Sequence, residues 1–111
     1  PSDIIDQGID LFKNYKRKVL PRIKKVINAR NYAIQEFKKR NKIINGGHGN
    51  SLSIYFKNKK ILKKIGNDLK KNRIIVNYNY PKPYDNFLNI TTSSKPNLKK
   101  FFKIFDKNDI N

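Results

Sequence analysis

Cysteine is absent from this sequence, as are tryptophan and methionine, and histidine and glutamate occur once each, at His48 and Glu36. Without cysteine there are no disulfides, no thiol nucleophile and no thiolate metal site. A reducing compartment fits that absence without being required by it. With one histidine, a histidine-built metal site or catalytic triad lacks its partners. The eight acidic residues are scattered, so no pair of carboxylates stands ready for acid–base work. No nucleophile elbow or phosphate-loop motif occurs. Nothing in the chain points to an enzyme, a metal or a cofactor. No apolar run approaches the roughly 20 residues of a membrane span, and no secretory signal pattern stands at the start.

What is present is charge of one sign. The 111 residues, enough for one domain, carry 26 Lys and Arg against 8 Asp and Glu, a formal net charge of +18. Only 37% of residues are hydrophobic, below the globular average. Self-repulsion on this scale destabilises a compact free monomer. A polyanion relieves it, because Lys and Arg that neutralise phosphates release condensed counterions. Lys outnumbers Arg 21 to 5. Lys is a point charge suited to phosphate, whereas Arg is the better bidentate reader of base edges. Backbone and shape recognition are therefore favoured over base-by-base readout. Asn, Ile and Lys make up about half the chain. Their codons are AT-rich, as in the AT-biased genomes of organelles.

Residues 1–19 carry a mild helical pattern through Ile4, Ile5, Ile9, Leu11 and Phe12, with Ser2 and Asp3 where a cap would sit. Pro21 breaks or restarts it. From Pro21 to about Lys39, the positions Ile23, Val26, Ile27, Ile34 and Phe37 mark a basic amphipathic helix. Residues 45–50 are a glycine-rich loop, a flexible connector by the plain reading and a phosphate-cradling nest by the functional one. His48 lies in it, in polar company. Leu52 to Phe56 alternates as a short strand. Asn58 is the expected cap of a helix striped by Ile61, Leu62, Ile65 and Leu69. Arg73 to Tyr80 reads as a second strand, ended by Pro81 and Pro83. Phe87 to Thr92 reads as a third. Ser94 to Asn97 reads as a bend, and Leu98 to Phe105 resumes an apolar and basic mix. The order predicts an α+β fold, a small β-sheet with helices packed on one face. The expected division is an amino-terminal helical extension at 1–19, an α+β domain at 20–105 and a polar tail at 106–111.

Two features could carry function. Lys59, Lys60, Lys63 and Lys64, with Lys70 and Lys71, surround a narrow apolar stripe and make an electrostatic face. The plain alternative is a solvated helix. A membrane-surface helix is less apt, since the stripe lacks Trp and flanking strands would claim it. Aromatic side chains among Lys and Asn can stack unpaired bases, and Tyr78, Tyr80 and Tyr84 are the candidates for that.

Three stretches, in order, resemble one family, the universal small-subunit ribosomal protein eight family. Ile23-Lys24-Lys25-Val26-Ile27-Asn28-Ala29 has the form of its first-helix stretch. Leu52-Ser53-Ile54-Tyr55-Phe56 followed by Lys59-Lys60-Ile61, with Ile65 and Leu69 continuing the spacing, resembles its strand and second helix. Ser94-Lys95-Pro96-Asn97-Leu98-Lys99-Lys100-Phe101 is nearly its Ser-Lys-Pro string. The likeness spans roughly Ile23 to Phe105.

The resemblance implies a structural constituent of a small ribosomal subunit, seated on small-subunit ribosomal RNA beside neighbouring ribosomal proteins. The AT-biased composition makes a mitochondrial ribosome the expected home. By position, Lys24, Lys25, Asn28 and Arg30 would approach RNA from the first helix. Ser94, Lys95, Pro96 and Asn97 would do so at the bend, with Lys99 and Lys100 following them. The chain departs from the family pattern at several points. Arg73 stands where the family ends its second helix with Gly, the Pro before that helix is missing, and residues 46–49 look like an insertion. The family's second half does not follow in this sequence, so it is expected either to lie on a separate chain, which would then be a partner, or to have been lost. A winged-helix-like DNA-binding regulator is the alternative, since the element order with a basic penultimate helix could imitate one. The scarcity of Arg argues against it.

Overall fold

The computed structural model describes residues 10–46, 49–92 and 94–108. The expected cap at Ser2 and Asp3, the apolar positions Ile4, Ile5 and Ile9, and His48 lie outside them. The described chain is α+β, three helices and a four-stranded antiparallel sheet.

From the first described residue the backbone is helical; it passes through a π-helical turn at Tyr15–Val19 and continues as α1, Leu20–Lys39. Pro21 therefore does not break the helix. It stands in the first turn of α1, behind a wider turn in which the Leu20 N–H reaches back five residues to the Tyr15 carbonyl. A proline ring clashes with the carbonyl four residues earlier, and the wider turn gives it room. Along this run Leu11, Phe12, Tyr15, Val19, Ile23 and Ile27 remain exposed. Among the described residues, the buried positions of α1 are Ala29, Ala33 and Phe37, all in its second half.

The helix closes where Asn41 turns left-handed at φ 56°. Its N–H and that of Lys42 donate to the carbonyls of Lys38 and Phe37, which satisfies the last turn. Strands β1, Ile44–Gly46, and β2, Ser51–Tyr55, then form a hairpin. β1 takes in Asn45 and Gly46, which the sequence assigns to a loop. Helix α2, Lys59–Lys71, is capped as expected, with Asn58 Oδ1 accepting from the Lys60 N–H at 2.9 Å. It ends in a Schellman turn. The N–H of Arg73 donates to the Lys70 carbonyl and that of Ile74 to the Leu69 carbonyl, with Arg73 left-handed at φ 61°.

The strand expected over Arg73 to Tyr80 shrinks to β3, Val76–Asn77. Tyr78 leaves the sheet to pack on α2, and Asn79 takes φ 65°. β4, Phe87–Thr91, matches its prediction. The expected bend at Ser94 is the start of a helix, α3, Lys95–Asn108, which reaches into the predicted polar tail. The sheet order is β1-β2-β4-β3.

Every second strand residue points to one side: Leu52, Ile54, Val76, Leu88 and Ile90 are buried. The helices cover that face. α3 lies between the other two, packing on both α1 and α2, and α2 also packs on β3 and β4. Phe101, Phe102 and Phe105 of α3 meet Phe37 of α1, with ring centroids 4.9–5.8 Å apart between Phe37 and each of the three. Each such side chain contributes about 1.5–3 kcal/mol on burial. A four-ring cluster at the α1–α3 contact thus fixes the mutual position of those helices.

Candidate nucleic-acid interface

Two of the stretches singled out in the sequence meet in space. The Phe37 cluster clamps α1 against α3, which brings the middle of α1 beside the start of α3. Between them lies a groove of about 520 Å³ lined by Lys25, Asn28, Ala29, Ser94, Lys95 and Pro96. Lys25 and Asn28 are exposed, whereas Ala29 is buried and lets the helices approach.

Ser94 forms the groove's corner by capping α3. Its carbonyl accepts from the Leu98 N–H at 3.0 Å and its Oγ from the Asn97 N–H at 3.5 Å. Lys95 stands in the first turn, its Nζ 5.1 Å from the centroid of the Tyr32 ring, within the range of a cation–π contact. That turn presents the positive end of the helix dipole to the same groove. Two lysines, an amide and a helix start make a surface that favours an anion.

The remaining candidates separate. Lys24 is exposed on the outer face of α1, and Lys99 and Lys100 on that of α3. Asn97 faces a different cleft, shared with Arg73 and Ile74. Lys60, Lys63 and Lys64 are exposed on α2 opposite its buried stripe, outside the groove. Lys59 instead pairs with Asp85. Its hydrogen bond holds the Asp85 carboxyl below the usual carboxylate range. Arg30 points to the β1–β2 turn, donating from Nη1 to the carbonyls of Gly49 at 2.8 Å and Ser51 at 2.9 Å. The entry to β2, from Gly49 to Ser51, is thus clasped by a side chain from α1.

Tyr78 is drawn away from stacking. Its ring lies on Gly66, its hydroxyl hydrogen-bonds Asn67 Oδ1, and Lys70 Nζ sits 4.6 Å from its centroid. Tyr80 and Tyr84 line a separate groove on the sheet. Sequence reasoning misses the sheet residues Asn45, Ser53 and Phe87 beside them: strand alternation is the signal for Ser53 and Phe87, and Asn45 has none. It also misses Arg40, which grips Asp106 through two hydrogen bonds of 2.6 and 2.7 Å and stacks 4.4 Å over Phe102. Among the described residues there is no cluster of three or more His, Cys, Asp or Glu that could hold a metal, and no helix long and apolar enough to cross a membrane.

An α+β domain with a basic helical layer and a cationic groove between two of its helices is as far as the geometry defines a class. Comparison with family models, with curated proteins and with solved structures finds no match to this chain.

Proposed function

We propose that this chain is an RNA-binding structural protein that docks on folded RNA by charge and shape. More narrowly, we infer a constituent of a small ribosomal subunit, of the small-subunit protein eight type, in a mitochondrial ribosome. One observation carries this reading. The stretches Ile23–Ala29 and Ser94–Phe101, about seventy positions apart, resemble one family independently, and Lys25, Asn28, Ser94, Lys95 and Pro96 from them line one groove. The left-handed Arg73 adds support, since the resembling family has Gly at this point and glycine is the residue that such a backbone favours. The net charge of +18 and the excess of Lys over Arg suit phosphate contacts made without base readout. The AT-biased composition supports the organellar assignment.

Sedimentation tests it. The tagged chain, expressed in its own cells, is expected to co-migrate with the mitochondrial small subunit and to leave it at high salt. With purified chain, the double variant Lys25→Ala, Lys95→Ala is expected to weaken binding to structured RNA and to lower the log–log salt slope by about one per lysine. Tighter binding to duplex DNA than to structured RNA, with sequence preference, would overturn the proposal in favour of a DNA-binding regulator. Binding to anionic vesicles that RNA does not compete away would overturn it in favour of a membrane-surface role.

A further inference from the structure

Opposite the helices, the sheet presents a second face of different chemistry. The register sets Asn45 beside Ser53, Ser53 beside Asn89, and Asn89 beside Asn77. One row across all four strands is therefore three amides and a hydroxyl, with Asn89 Nδ2 donating to Ser53 Oγ at 3.2 Å. In the flanking row Tyr55 and Phe87 stand edge to face, their centroids 5.6 Å apart. The loop after β3 carries Tyr80, Pro81 and Tyr84 to this face. Together with Asn45, Ser53 and Phe87 they line a groove of about 490 Å³, a size within the roughly 300–1,000 Å³ of small-ligand sites.

The loop is firmly held. Tyr84 N–H donates to the Pro81 carbonyl and Phe87 N–H to that of Tyr84. Asn86 exchanges two hydrogen bonds with the Phe56 backbone, each 2.8 Å. The Lys59–Asp85 pair ties the loop to the start of α2. Tyr84 nevertheless remains 62% exposed. An exposed ring on an anchored loop loses little freedom when something stacks on it.

Among the described residues, no Lys or Arg lines this groove, although the chain carries 26 of them. It therefore suits the uncharged part of a polynucleotide, while the helical layer suits the phosphates. We propose that the open sheet face binds unpaired nucleobases of RNA. Tyr84 and Tyr80 supply ring faces, and the Asn45–Ser53–Asn89–Asn77 row supplies donors and acceptors for base edges. Stacking on aromatic side chains and hydrogen bonding at exposed base edges are how unpaired RNA is read. The proposal rests on RNA as the partner and adds a second, chemically distinct contact to it.

The test compares the full chain with three probes: a short single-stranded RNA homopolymer, its abasic counterpart, and an RNA duplex of equal length. Tyr84→Ala is expected to weaken single-strand binding by about 5- to 150-fold. Tyr84→Phe retains it, the abasic strand binds more weakly than the homopolymer, and duplex affinity is unchanged by either variant. Equal binding of abasic and base-bearing strands, or no effect of Tyr84→Ala, overturns the base platform while leaving salt-dependent RNA docking intact. Failure to bind any of the three RNAs removes both proposals. Circular dichroism of each variant guards against misfolding as the cause.

Discussion

Arg73 occupies a backbone conformation that disfavours a side chain. The left-handed region costs an L-residue about 1–2 kcal/mol, and the closing turn of α2 imposes it with two backbone hydrogen bonds. Glycine would relieve that cost while losing part of the gain to the entropy of the unfolded chain. Arg73→Gly is therefore expected to raise the unfolding free energy by about 0.5–1 kcal/mol in chemical denaturation. Gly66 presents the opposite case. In a helix interior, Gly→Ala ordinarily gains about 1 kcal/mol. Here an added Cβ would stand 2.5 Å from the Tyr78 ring, so the ring must leave its place on α2 and with it the Asn67 and Lys70 contacts. Overpacking of this kind costs about 1–3 kcal/mol, so Gly66→Ala is expected to destabilise, and the same denaturation experiment reads the sign.

At the scale of elements, α1 and α3 are joined by rings inside and by the Arg40–Asp106 pair at the edge. The hydrogen bonds from Arg40 hold the Asp106 carboxyl below its ordinary range. A carboxylate whose pKa is lower folded than unfolded adds stability above its unfolded value, near pH 4, and that contribution is lost as pH falls through the folded value. Glu36, lowered by its hydrogen bond from Lys39, acts in the same direction. Acid titration of the thermal midpoint is expected to fall below about pH 4, with a shallower fall in Asp106→Asn. Much of this layer was legible in the sequence. α1, α2, β2 and β4 follow apolar periodicity, and the Asn58 cap falls where its side chain predicts. α3 was missed because Ser94-Lys95-Pro96 reads as a bend, although Leu98, Phe101, Phe102 and Phe105 have helical spacing. β1 is three residues long and owes its state to pairing with β2, which no local pattern announces. Arg30 and Lys59 looked like free cations because their partners, the 49–51 turn and Asp85, lie about twenty or more positions away. The two halves of the groove were legible separately. Their meeting depends on the Phe37 cluster, a tertiary fact.

The whole molecule is governed by its imbalance of charge. Carboxylates at Glu36, Asp85 and Asp106 are already committed to internal pairs, so most of the excess has no internal counterion and must be met from outside. The isolated chain is therefore expected to melt at low temperature and with poor cooperativity in dilute buffer, and to gain stability with added salt or RNA. A calorimetric melt that is sharp and indifferent to ionic strength would contradict this. The exposed side chains from Leu11 to Ile27 make such a chain prone to clump when its partner is missing. The sheet, however, ends on β1 and β3, three and two residues long. Rims this short leave few backbone groups on which another strand could grow. Clumps of the orphaned protein should accordingly be amorphous and redissolve when RNA is restored, without maturing into fibrils.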